Sequence, residues 1–127
     1  MNLEKVVFGF FVLLAATLNF GFFVGDIADA RVHNVWELFL AVVVNAIATV
    51  LKFDRTQLGA VHLATSLVAL LQLLAATSVW IWAVQVSADG LTPTHISSVV
   101  SLSGGALLAN IVSVVLLVVE TASFRRR

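Results

Sequence analysis

The sequence has no cysteine, a single proline and very little charge. Without cysteine there are no disulfides, no thiol catalysis, no thiolate-ligated metal and no palmitoylation, and the redox compartment stays open. One proline and seven glycines argue against a loop-rich architecture. Seven acidic and seven basic residues make up 11% of the 127 positions and cancel to a formal net charge of +0, so no basic field points to nucleic acid or to acidic lipid. A soluble domain carries roughly 25% charged residues. A chain this small buries only a modest part of its surface and would need far more polar groups to cover the rest. A soluble enzyme, a nucleic-acid binder and a disordered tail are thereby excluded. What the sequence does have is 61% hydrophobic residues and a mean hydropathy of +1.07. The chain is expected to be an integral membrane protein.

Crossing a hydrocarbon core of roughly 30 Å takes about 20 mainly apolar residues in a helix. Four stretches qualify, at residues 6–24, 35–51, 58–86 and 96–119. They predict one all-α domain over residues 1–127, a four-helix bundle of up-down-up-down order. A β-barrel needs at least eight alternating strands of about 10 residues, which continuous apolar runs in so short a chain do not supply. The first run is too long for the core of a secretory signal and reads as a retained span. Lys5, Lys52, Arg55 and Arg125 to Arg127 fall on one side of this topology, and Arg31 stands alone on the other. The positive-inside rule then puts both termini and the middle connection in the cytoplasm. Trp36, Trp80 and Trp82 cluster near the outer helix ends, where amphipathic rings prefer the interface.

Polar residues within the spans are costly against lipid, so each asks for a partner or a path. Asn19 lies on the first helix, Asn45 and Thr49 on the second, Gln72 on the third and Asn110 on the fourth. Two readings stay open for this set: interhelical hydrogen bonds, or the lining of a hydrated path. Asn45, Thr49 and Lys52 share one helical face by their steps of four and three. His62, near the cytoplasmic surface, is readable as a satisfied interfacial side chain, a proton-responsive group or a ligand. Ser97, Ser101 and Gly105 recur at every fourth position, the small-residue spacing that lets helix backbones approach. No Asp or Glu stands at the centre of a span, which counts against a proton-coupled antiporter. Asp26, Asp29, Glu37 and Asp89 form an acidic outer group, readable as a cation-attracting mouth or simply as the reverse of the positive-inside bias. His33 and His95 lie among these acids, where a metal or external pH could act on them, but no ligand spacing defines a metal site. The sequence Leu-Leu-Ala-Ala-Thr occurs at 13–17 and again at 73–77. Duplication of a helix pair and chance similarity between Leu/Ala-rich helices both account for it.

Two classes of small four-helix transporter match in length and fail at their motifs. Small multidrug transporters carry a Glu within the first span, and residues 6–24 have none. Fluoride channels share an Asn in the second span, as at Asn45, but their break in the third helix and their early Arg are missing. As a whole the chain resembles a family of short four-span inner-membrane proteins of proteobacteria. The resemblance lies in Asn2 to Phe11, Ala48 to Phe53 and Ser101 to Asn110. It implies a bacterial inner membrane and carries over no activity, cofactor or site residue.

No nucleophile with a base and no cluster of metal ligands is present, so no enzyme chemistry is expected, and no cofactor. The leading functional expectation is a small homo-oligomeric channel or transport protein for a cation. A non-conducting accessory or scaffold subunit of a larger transporter is the alternative, and a pH or metal sensor the third.

Overall fold

The computed structural model describes residues 3–26, 28–53 and 59–125. The charges at Arg55, Arg126 and Arg127, used above for orientation, lie outside them. Four helices make up the fold: α1 (Leu3–Phe23), α2 (Val35–Phe53), α3 (Gly59–Gln85) and α4 (Pro93–Arg125), with a 3-10 turn at Ala30–Val32 between the first two. Each helix is long and apolar enough to cross a membrane, so the chain has the makings of a multi-pass membrane protein. α4 extends past the expected 96–119 at both ends. Its 33 residues reach about 50 Å at 1.5 Å per residue, well beyond the hydrocarbon core.

The helix ends follow local chemistry. Asn34 caps α2, its side-chain oxygen accepting the Trp36 N–H at 2.9 Å. Thr92 caps α4 by accepting the His95 N–H at 3.2 Å, and Pro93 takes the first helical position, where no N–H is needed. This cap explains why α4 begins three residues before its apolar run does. Gly25, with φ at 114°, turns the chain just after α1, a conformation that side chains rarely adopt.

The helices pack in a closed cycle in which α1 touches α2, α2 touches α3, α3 touches α4 and α4 returns to α1. Phe8 meets His62 near the starts of α1 and α3, and Phe22 meets Trp80 near their ends, so these two helices run in the same direction. α4 runs opposite to α1, since Gly9 lies beside Leu117 and Gly104 beside Phe23. The surface is inverted relative to a soluble protein. Leu71 and Leu108 are 70% and 66% exposed, while Asn19 and Asn45 are buried. Exposed leucine is tolerated where the surroundings are as apolar as the side chain, whereas an exposed amide there would lack partners.

Glycines set the closest helix approach. A Cβ at Gly104 would stand 2.7 Å from Cε1 of Phe23, and an aromatic ring cannot bend away as a flexible chain can. Gly104→Val is therefore expected to destabilise the bundle by about 1–3 kcal/mol, read as a lowered midpoint of thermal unfolding in detergent. Gly105→Ala should cost less. Its Cβ would meet Oε1 of Gln72 at 2.5 Å, the far end of a side chain that can rotate. Equal effects at the two glycines would contradict this account.

Candidate functional site

The buried positions of α2, α3 and α4 change character at a common depth. Toward the Trp80 end they are apolar: Leu38 and Ala41 on α2, Ala69, Leu73 and Ala76 on α3, and Ile96, Val99, Val100 and Ala106 on α4, with Phe22 of α1 among them. Toward the terminal end polar side chains are buried: Asn45, Thr49 and Lys52 beside Val44 and Ala48 on α2, His62 and Ser66 on α3, and Asn110 and Ser113 on α4. α1 adds Asn19 to the polar half and otherwise faces it with Phe8, Val12 and Ala15. The interior thus has an apolar half and a polar half, and the polar half is the candidate site.

Its hydrogen bonds are mostly spent on the bundle itself. In the amide orientation that satisfies both of its polar atoms, Asn19 donates to the Ser103 carbonyl at 2.9 Å. It accepts the Leu107 N–H at 2.9 Å and Nδ2 of Asn110 at 3.0 Å. Ser103 and Leu107 are i and i+4 on α4, so one side chain of α1 grips the backbone of a single turn of α4 as well as its neighbouring amide. Asn45 donates to the Ala41 carbonyl at 2.7 Å, and Thr49 Oγ1 to the Asn45 carbonyl at 2.7 Å. Both bonds stay within α2. Gln72 is half-buried, and its Oε1, enclosed against Gly105, has no hydrogen-bond partner among the described residues.

Lys52 is the unexpected member. A lysine in the last turn of a membrane helix ordinarily extends to the headgroups. Here it turns inward, is only 4% exposed, and its Nζ donates to the Ser113 hydroxyl of α4. Among the described residues it forms no ion pair. Sequence reading placed Lys52 with the loop charges and His62 at the interface; both belong to the buried polar half, as do Ser66, Ser103 and Ser113. The signal was available in the shared face of Asn45, Thr49 and Lys52. Hydropathy alone assigns a lysine to the span's edge and says nothing of the direction its stem takes.

The outer acids each have their own surroundings. Asp26 Oδ1 accepts the Ala28 N–H at 3.0 Å. Asp29 holds Arg31 through two side-chain bonds of 3.0 and 3.1 Å, and this guanidinium keeps its carboxyl below the usual carboxylate range. The Glu37 carboxylate lies over Gly21, in the space a Cβ would take, and Asp89 is exposed. Among the described residues no three His, Asp or Glu side chains are placed to hold a metal ion. The small-residue series divides as well. Gly105 faces Gln72 inside the bundle, whereas Ser97 and Ser101 line an open groove of about 620 Å³ with Pro93, Thr94, Ser98 and Leu102. Asn45 and Asn110 also do different work, Asn45 bonding within its own helix and Asn110 pairing with α1.

Residues 32–121 match DUF6394, a family of unknown function. No curated protein and no solved structure matches the chain.

Proposed function

The chain belongs to the DUF6394 family, and since that family has no known function, we propose from the geometry of this member that it is a non-conducting accessory or scaffold subunit of a larger membrane transporter. In this reading it sits in the bacterial inner membrane with both termini in the cytoplasm, associates with further copies of itself or with that transporter, and performs no catalysis. The observation that carries the proposal is the apolar half of the interior. Phe22, Leu38, Leu73, Ile96, Val99 and Val100, all essentially inaccessible, fill the bundle between the polar half and the Trp80 end. A hydrated path along this bundle would have to displace them. Three of the amides that could line such a path, Asn19, Asn45 and Asn110, are bonded to helix backbone or to one another instead.

Liposomes containing the purified protein are accordingly expected to stay tight to potassium, sodium, chloride and protons. Asn45→Leu and Asn110→Leu should lower unfolding stability without changing that tightness. A sustained ion flux that either substitution abolishes would overturn the proposal.

One observation favours a second reading. The Lys52 ammonium is held inside the bundle at the Ser113 hydroxyl, in the half where α2, α3 and α4 all bury polar side chains, which suits a one-sided vestibule in a transport protein. A buried positive charge would bias such a vestibule toward anions, whereas the acidic outer loops alone suggest a cation. Chloride flux in the liposome experiment, lost in Lys52→Met, would support this reading over the first.

A further inference from the structure

The connection between α1 and α2 is fastened by one imidazole. His33 is 3% exposed, and its ring has a backbone carbonyl at each nitrogen. Nδ1 lies 2.6 Å from the oxygen of Phe22, and Nε2 lies 2.7 Å from the oxygen of Asp26. The Phe22 carbonyl belongs to the last turn of α1, where a helix leaves its final C=O groups without internal partners, and the Asp26 carbonyl lies three residues beyond the helix, where it also accepts the Asp29 N–H at 3.2 Å. Carbonyl oxygens only accept. A neutral imidazole has one N–H and one lone pair, so it can serve one of these oxygens and must set its lone pair against the other. The imidazolium donates to both. A positive charge there is also favoured by the negative end of the α1 dipole.

We propose that His33 is a pH-dependent latch. As imidazolium it ties the outer connection to the end of α1, and loss of its proton releases one of the two ties. The sign follows directly. The latched structure holds the proton that the released one gives up, so acid favours the latch and alkali its release. The same ring packs on Phe22 at a centroid distance of 5.5 Å, and Phe22 packs in turn on Trp80 of α3 at 6.2 Å. Release therefore reaches the apolar core.

The charged and titratable groups at this end, among the described residues, are few. Asp26, Asp29 and Arg31 share the connection with His33. Asp29 is bound to Arg31 at 3.0 Å, and the Asp26 carboxylate accepts from Ala28. Glu37 stands on the first turn of α2 against Gly21 of α1. Asp89 lies in the α3–α4 corner, and His95 Nδ1 is 2.9 Å from the Gly90 carbonyl there. Of these groups, the Asp29 carboxylate also feels the charge of the His33 ring.

Thermal unfolding of the full chain in detergent, followed from about pH 5.5 to about pH 8.5, tests the latch. The wild type should lose several degrees of midpoint across this range, and His33→Gln, whose amide has no proton to lose, should lose most of that dependence. A second measurement covers the case in which His33→Gln does not fold. Ring-nitrogen NMR of the wild type, with His33 identified by comparison with His62→Gln and His95→Gln, should show both nitrogens protonated at the acid end of the range. A single neutral tautomer throughout, or an unchanged pH dependence in His33→Gln, overturns the proposal.

Discussion

Asn19→Leu is expected to destabilise the bundle by about 2 kcal/mol, more than a typical membrane polar contact. Interhelical hydrogen bonds in membranes average about 0.6 kcal/mol, with a maximum near 1.7, because the separated helices find other partners. Asn19 exceeds that average for two reasons. It makes three bonds at once, to Ser103, Leu107 and Asn110, and it is wholly buried. Leucine also leaves Nδ2 of Asn110 enclosed without this acceptor, and an orphaned buried donor costs about 1–3 kcal/mol. The backbone groups of Ser103 and Leu107 suffer less, because they can bond each other as an ordinary i, i+4 pair.

A double-mutant cycle separates these contributions. Asn110→Leu alone removes one bond and leaves Asn19 with its two backbone partners. In the double variant the orphan disappears, so its cost should be less than the sum of the two single costs. Unfolding in mixed micelles measures all three. Strict additivity would mean that the two amides do not interact, and an unchanged Asn19→Leu would remove the main tie between α1 and α4.

The second large effect has the opposite sign. Lys52→Met is expected to stabilise the bundle by about 1–4 kcal/mol, the order found when buried ion pairs give way to apolar residues of similar size, since an unpaired ammonium carries the same desolvation cost with less to offset it. The bundle has withdrawn this ammonium from water and offered it the Ser113 hydroxyl, with no ion pair among the described residues. In a separated α2 the same side chain can reach the headgroups, so the folded state alone bears the desolvation. Methionine matches the length of the stem. It strands no acceptor, since the Ser113 hydroxyl can turn to a carbonyl of its own helix. Chemical denaturation of the two proteins side by side gives the answer. A more stable Lys52→Met identifies a charge kept at the expense of stability, the mark of a functional group inside a membrane protein. A variant weakened by a kilocalorie or more would instead mean that the ammonium is compensated in the native protein, by an anion or by an acidic partner.

These two residues also mark how far the sequence could be read. Asn19 was legible as a buried polar group, because an amide within an apolar span has few other places to go. Its partners were not, since helical periodicity specifies a face and leaves open which neighbour that face meets and at what height. Lys52 shared a visible face with Asn45 and Thr49, yet its position at the end of a span fits snorkelling outward equally well. His33 lies in a connection where no periodicity operates, and nothing local signals that both ring nitrogens find carbonyls. For Ser97, Ser101 and Gly105 the regular spacing suggested one surface. The rotation of α4 in the bundle divided it, with Gly105 turned to α3 and Ser101 to the exterior.

Composition and hydropathy by themselves determined that the chain is built from four apolar helices of membrane-spanning length, and closely where each lies. Those properties are sums over contiguous residues, and water or lipid responds to them without reference to the rest of the fold. Tertiary structure alone decided that the polar side chains gather in one half of the interior, that Phe22, Leu38 and Leu73 fill the other, and that a lysine turns inward between α2 and α4. Those features depend on the relative rotation and height of helices far apart in sequence. Packing sets both, and no single helix contains the information.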